Sequence, residues 1–270
     1  MTPTPLPTYF ISHGGGPWPW MKHEMSGQYD RLEAALRDMP HQLGAAPRAV
    51  LMLSAHWEER DFTVMTHPSP PMIYDYGGFP DYTYRIRYPA PGAPQVAQRV
   101  VALLEAAGIG VAVDAQRGFD HGLYAPMAVM YPGADMPVLQ LSLRRGLDPR
   151  EHLALGRALA PLRGEGILIV GSGLSFHNLG MFGPAAKGPS AAFDDWLQRT
   201  LAADDPNART AALADWERAP AARQAHPREE HLLPLMVAVG AAEQDVATRV
   251  YHEQDFFGGI SVSSYRFGGG

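Results

Sequence analysis

The sequence predicts an α/β fold: a single catalytic domain over residues 1–270, with a central, mostly parallel or mixed sheet flanked by helices and its active site at the C-terminal edge of the strands. Three observations predict it. Short β-rich runs alternate along the chain with segments of helical period. At 270 residues, with 46 % hydrophobic and 19 % charged residues, the chain has the length and composition to bury one substantial core. No internal repeat or long low-complexity linker divides it.

The first run, TYFIS at 8–12, is followed by a helical face made of Tyr29, Leu32, Leu36 and Met39. RAVLMLSA at 48–55 has the continuous apolar character of a strand buried on both faces. The stretch 66–94 is rich in proline, glycine and tyrosine and has no period; it reads as a long loop, and such loops in compact domains are often functional. Val96, Val100, Leu103 and Leu104 mark a second helix between Pro94 and the stop at Gly108, ahead of strands at 110–114 and 137–143. A third helix opens at Asp148-Pro149, a capping residue followed by a proline in the first turn, and ends near Gly164. After the strand GILIVGS at 166–172 come helices over 190–203 and 227–239, the latter opening at Pro227 and stopping at Gly240. Strand-like segments at 248–252 and 259–265 close the chain, and Gly268 to Gly270 read as a flexible end.

Composition narrows the chemistry. A net charge of -6 without any run of lysine or arginine gives no footprint for nucleic acid or an anionic membrane, so a small-molecule partner is expected. With no cysteine, disulfides and thiolate chemistry are excluded, and any metal must rely on imidazole and carboxylate. No window approaches the roughly 20 apolar residues of a spanning helix and the first residues have no basic start; a cytoplasmic protein is expected.

Three predicted strands run directly into histidine-bearing segments: 8–12 into His13, 48–55 into His56, and 166–172 into His177. In an open parallel sheet ligands bind beyond the carboxyl ends of the strands, so separate segments would deliver these imidazoles to one crevice. His231, in the first turn of the helix from Pro227, can face the same edge. His121 follows Gly118-Phe119-Asp120 in a loop after the strand at 110–114 and can also reach the crevice. His23, His41, His67, His152 and His252 are assigned no function, since a lone histidine is more often a surface or core residue. His226 and His231, five apart, are separated by about 140° on a helix. They therefore do not form an H-E-x-x-H face, and His226 reads as the residue that opens a helix. Gly14 to Gly16 read as a tight turn that lets backbone approach a metal. Gly171 to Ser175 fit neither a nucleophile elbow nor a dinucleotide loop, and there is no P-loop.

Taken in order, SHGGGP at 12–17, SAHW at 54–57, YDYGGFP at 74–80 with YPAPGAP at 88–94, GFDHG at 118–122, HNL at 177–179 and HPREEHLLPL at 226–235 resemble the extradiol aromatic ring-opening dioxygenases of the DOPA-dioxygenase type. The resemblance spans nearly the whole chain. It implies a mononuclear non-haem metal site with His13, His56 and His231 as ligands, and His177 as a nearby acid/base that can also count as a fourth ligand. It further implies that His121 faces substrate or oxygen. The expected metal is Fe(II), with a DOPA-like catechol and O2 as substrates. The wider extradiol group often uses two histidines and one carboxylate. Three neutral imidazoles also describe a zinc site with an open position, which keeps two alternatives open: a zinc-dependent hydrolase or amidase, and a non-enzymatic metal- or ligand-binding module. Glu229 and Glu230 read as first-turn acids that suit a helix dipole. Tyr74, Tyr76, Phe79 and Tyr82 would form an aromatic wall for a ring substrate or could equally cover the core, and Arg85 and Arg87 could meet a substrate carboxylate, although surface positions are the commoner explanation.

Overall fold

Strands that are apolar on both faces need a covering layer on each side, and here such strands make the middle of one eight-stranded mixed sheet. The computed structural model describes residues 4–25 and 27–269. Gly270, part of the expected flexible end, lies outside them. The strands are β1 (Thr8–Ser12), β2 (Ala49–Glu59), β3 (Phe62–Met65), β4 (Val111–Asp114), β5 (Val138–Arg144), β6 (Ile167–Gly173), β7 (Ala247–Phe256) and β8 (Ile260–Phe267). Their order across the sheet is β4-β3-β5-β2-β6-β1-β8-β7. β5, β2, β6 and β1 run parallel, and every residue of β1 and β6 is buried. The antiparallel hairpin β7–β8 extends the sheet beyond β1, while β3 pairs antiparallel with β5 and parallel with β4.

The helices are α1 (Asp30–Asp38), α2 (Pro94–Ala106), α3 (His121–Met130), α4 (Pro149–Leu159), α5 (Pro161–Gly164), α6 (Lys187–Leu201), α7 (Pro206–Ala214), α8 (Ala222–Ala225) and α9 (Leu233–Ala241). α1 and α2 bury the faces read from the sequence, with Leu32 and Leu36 on one and Val100 and Leu104 on the other. α9 is buried on all sides and packs on α4, β6 and β1. No helix among the described residues is long and apolar enough to cross a membrane.

Several boundaries differ from expectation, each for a local reason. The expected helix from Asp148 is capped as predicted, with the Asp148 carboxylate accepting from the Arg150 N–H at 2.7 Å, but it breaks at Ala160 because Pro161 has no N–H to continue the ladder. The segment after Pro227 forms turns and becomes helical only at Leu233, so His231 precedes α9 rather than lying in its first turn. β2 runs on to Glu59 and therefore contains His56. The loop up to Ala93 is irregular as expected, apart from a parallel bridge between Met72 and Phe119 and a 3-10 turn at Asp81–Arg85.

His152, left without a function above, has a structural one. Its ring is fully buried in α4 against Phe62; Nδ1–H donates to the Asp148 carbonyl at 2.7 Å and Nε2 accepts from the Arg144 N–H at 3.3 Å. Burial brings its pKa from 6.5 down to about 4. The unfolded chain therefore binds a proton below its ordinary pKa that the folded chain refuses until about pH 4, and stability is lost as pH falls through that window. From about pH 7.5 to about pH 5 this one group accounts for about 2 kcal/mol. Urea unfolding of His152→Gln at those two values is expected to show a dependence weaker by that amount. An unchanged dependence would contradict the assignment.

Candidate metal centre

Parallel strands present their C-terminal ends on one edge, and β2, β6 and β1 lie side by side there. His13 directly follows β1 and His177 comes four residues after β6. His56 lies just past the last β2–β6 pair, Ser54 with Ser172, where the β2–β5 pairing also loses register. Such irregularities re-aim the side chains of a strand. His121 is the first residue of α3, and not a loop residue as the sequence suggested. The preceding Asp120 is fully buried and held by Ser54 Oγ at 2.7 Å, Gln140 Nε2 at 2.8 Å and Arg117 at 2.6 Å, which ties α3 to β2 and β5.

His231 reaches the same edge because its carbonyl accepts the Leu174 N–H at 3.1 Å. A Cβ at Gly173 would come within 2.1 Å of that carbonyl, so only glycine allows this approach. The expected tight turn after His13 is present: Gly14 and Gly16 have φ of +76° and +54°, and a Cβ at Gly14 would lie 2.4 Å from Trp18 Nε1.

The result is a cluster of five imidazoles. Ring centroids of His13, His56 and His231 are 4.9, 5.3 and 4.9 Å apart for the pairs 13–56, 13–231 and 56–231. His121 is 4.0 Å from His56, and His177 stacks on His231 at 3.4 Å and 13°. Donor atoms within 4.8 Å of one another form two sets: His13, His56 and His121, and His177, Glu230 and His231.

In each ring Nδ1 faces an oxygen. The Ser172 hydroxyl donates to the Gly122 carbonyl at 2.5 Å, so its oxygen accepts from His13 Nδ1–H at 3.0 Å and leaves Nε2 of His13 with a lone pair. Asp75 Oδ2 lies 2.9 Å from Nδ1 of His121 and 3.5 Å from Nδ1 of His56, and Asp75 Oδ1 accepts the His121 backbone N–H at 3.0 Å. Glu230 Oε1 lies 2.9 Å from Nδ1 of His231 and 3.3 Å from Nδ1 of His177. Nε2 is thus the nitrogen that each ring offers to the cavity all five line.

Burial, reinforced by the neighbouring imidazoles, holds His13 and His231 well below the usual histidine pKa, and burial brings His56 down to about 4. These rings are neutral at physiological pH. Burial pushes Asp75 and Glu230 up, but hydrogen bonds from His121 and His177 outweigh it and both remain below the ordinary carboxylate range. Neutral imidazoles backed by anionic carboxylates are the donor set of a metal centre. A second observation agrees: Nε2 of His13 and Nε2 of His56 are 3.1 Å apart. Two imidazole nitrogens at right angles on one ion, each about 2.1 Å from it, lie about 3.0 Å apart. The residues present fit a divalent ion.

The cavity measures about 200 Å³ and is lined, besides the histidines, by Gly14 to Gly16, Tyr29, Leu174, Leu179, Phe182, Phe256 and Phe257. The aromatic wall therefore comes from the β7–β8 turn and the segment after His177. Of the two expectations for the tyrosine-rich loop the second holds, since Tyr74 and Tyr76 pack against the core and none of its four aromatics lines the cavity. Tyr74, Tyr76 and Tyr82 spend their hydroxyls on Ile86, Thr83 and Glu24, and Phe79 packs at Gly16. That loop instead contributes Asp75, for which composition gave no signal. Arg85 and Arg87 are exposed and lie outside the lining.

Glu230 does not serve a helix terminus, because α9 begins three residues later; it buttresses His177 and His231, while Glu229 pairs with Arg223 at 2.6 Å. His226 closes α8 rather than opening a helix. It is fully buried beside Phe193 and Trp216, with Nε2 on the Ser175 carbonyl at 3.1 Å. His23, His41, His67, His152 and His252 all lie outside the cavity lining.

Comparison with known proteins agrees with this geometry. The profile of the catalytic LigB subunit of aromatic ring-opening dioxygenase matches residues 7–268. A 4,5-DOPA dioxygenase extradiol of Beta vulgaris is 39 % identical over 265 residues, covering 96 % of each chain. One from Escherichia coli (strain K12) is 34 % identical over 273 residues, covering 99 % of this chain and 97 % of the other. The crystal structure of an uncharacterized protein from Escherichia coli K12 superposes with a TM-score of 0.78 at 28 % identity, covering 97 % of this chain and 100 % of that one.

Proposed function

The chain belongs to the family of the catalytic LigB subunit of aromatic ring-opening dioxygenases and is an extradiol dioxygenase, and from that premise we propose that it opens a catechol ring, of which DOPA is an example, at a mononuclear non-haem Fe(II) held by His13, His56 and His231. Residues 1–270 act as one catalytic unit. Zn(II) would fit the same three imidazoles. Membership of the family selects ring opening over the hydrolytic and purely binding alternatives.

The observation that carries the reading is the set of five rings lining one cavity, each with an oxygen within 3.5 Å of its Nδ1. A cavity of about 150 Å³ admits benzene, so this one has room for a ring with a short substituent. A bound divalent ion would favour the ionised catechol and bring the two reactants together. Both atoms of O2 end in the product as the ring carbon–carbon bond beside the hydroxyl-bearing carbons breaks, so no external reductant is consumed.

His177 is the acid/base. With Nδ1–H facing Glu230 at 3.3 Å, its Nε2 takes a proton from a catechol hydroxyl and returns it to oxygen later in the reaction, an exchange for which an imidazole nitrogen is suited in both directions. Its stacking on His231 places it beside the ligand set. His121 supports it, oriented by the two hydrogen bonds to Asp75.

The test is anaerobic loading of the apoprotein with Fe(II), followed by air and a panel of catechols that includes DOPA. The expected result is a yellow ring-opened semialdehyde with one O2 consumed per ring. Absence of catechol-dependent O2 uptake with every member of the panel would contradict the reading.

A further inference from the structure

Tyr29 carries the only hydroxyl among the described residues that line the histidine cavity. The helical period counted it as a packing residue of α1, but it stands immediately ahead of that helix, and its side chain is buried in the wall. Its ring is fixed against the segment that holds His13. Trp18 stacks on it with centroids 4.8 Å apart at 22°, and the Trp18 indole N–H donates to the His13 carbonyl at 2.7 Å. Phe256 and Phe257 meet it edge-on at 5.7 and 5.5 Å. The phenol oxygen accepts the N–H of Gly15, two residues after His13, at 3.1 Å.

A phenol oxygen that accepts one hydrogen bond still has a hydrogen to donate. Tyr74, Tyr76 and Tyr82 donate theirs to Ile86, Thr83 and Glu24, whereas the Tyr29 hydroxyl finds no protein acceptor among the described residues. Burial raises its pKa to about 12, so the hydrogen stays on the oxygen. A donor beside the glycine turn that follows His13 is matched by a ligand oxygen. A catechol brings two, which a divalent ion would draw toward the ionised form, and hydrogen bonds to charged oxygens are the stronger ones. Resting on the ring-opening reading, we propose that Tyr29 is a substrate-binding residue whose O–H donates to an oxygen of the bound catechol and holds the ring in place for cleavage.

Tyr29→Phe keeps the ring and its stacking on Trp18 and removes the hydroxyl; the Gly15 N–H that it releases belongs to an exposed residue and passes to water. Zinc affinity of the variant, measured by competition with a chelator, is expected to match that of the unaltered protein, because no proposed ligand is touched. Calorimetric titration of the Zn(II)-loaded proteins with 4-methylcatechol is expected to show binding weaker by about ten- to a hundredfold in the variant. In the Fe(II)-loaded variant kcat/KM should fall by at least the same factor. Equal catechol affinity in the two proteins would overturn the proposal. So would a parallel loss of zinc, which would make Tyr29 a brace for the turn after His13. If the unaltered Zn(II)-loaded protein itself binds no catechol, the ring-opening reading falls and the proposal with it, an outcome distinct from equal binding by both proteins.

Discussion

His56→Ala is expected to strip the protein of its metal and to lower ring-cleaving turnover by about a thousandfold or more. His56 supplies an Nε2 only 3.1 Å from that of His13, in the part of β2 where regular pairing has ended. Alanine there leaves the strand intact, because its side chain is partly exposed and the β2–β6 ladder finishes at Ser54. It removes one of three neutral donors, and the remaining pair cannot hold an ion at the affinity of the full set. Metal content after gel filtration, O2 uptake with a catechol, and circular dichroism for the fold together check this. Retention of stoichiometric metal by the folded variant would remove His56 from the ligand set.

His177→Gln is expected to act differently, lowering kcat by about a hundred- to ten-thousandfold while metal content and catechol affinity stay within a few-fold. Glutamine keeps a hydrogen-bonding end for Glu230 but cannot take up and return a proton near neutral pH. The His177 ring stacks face to face on His231 at 3.4 Å, and that packing places it beside the proposed ligands. A single-turnover measurement on metal-loaded protein reads the chemical step directly. Loss of metal in parallel with activity would move His177 into the ligand set.

The contrast between these variants rests on features that differ in how visible they are in the sequence. TYFIS and GILIVGS announce themselves as strands because a parallel sheet covered on both faces demands unbroken apolar runs. That His13, His56 and His177 follow or end such runs is what brought them to one edge on paper. β3 was missed because four residues directly after the turn at Arg60 and Asp61 offer too little pattern. α3 was missed because it is buried on nearly every side and so has no polar face to mark a period. The turns before α9 misled for another reason: Pro227 suits a first helical turn, yet the chain there is bent to bring His231 against Leu174.

Asp75 and Glu230 show where composition runs out. Each is an ordinary acid in a polar segment, and its role appears only when histidines from distant elements arrive beside it: His56 and His121 for one, His177 and His231 for the other. The Phe256-Phe257 pair likewise reads as the end of a strand. Only the return of the β7–β8 hairpin next to β1 places it in the lining of the cavity that contains His13.

X-ray absorption at the metal edge of the Fe(II)- or Zn(II)-loaded protein tests the assembly of that centre most directly. The predicted spectrum has a first shell of nitrogen and oxygen at about 2.1 Å with the multiple-scattering signature of three imidazoles. A shell with one imidazole or none would contradict it.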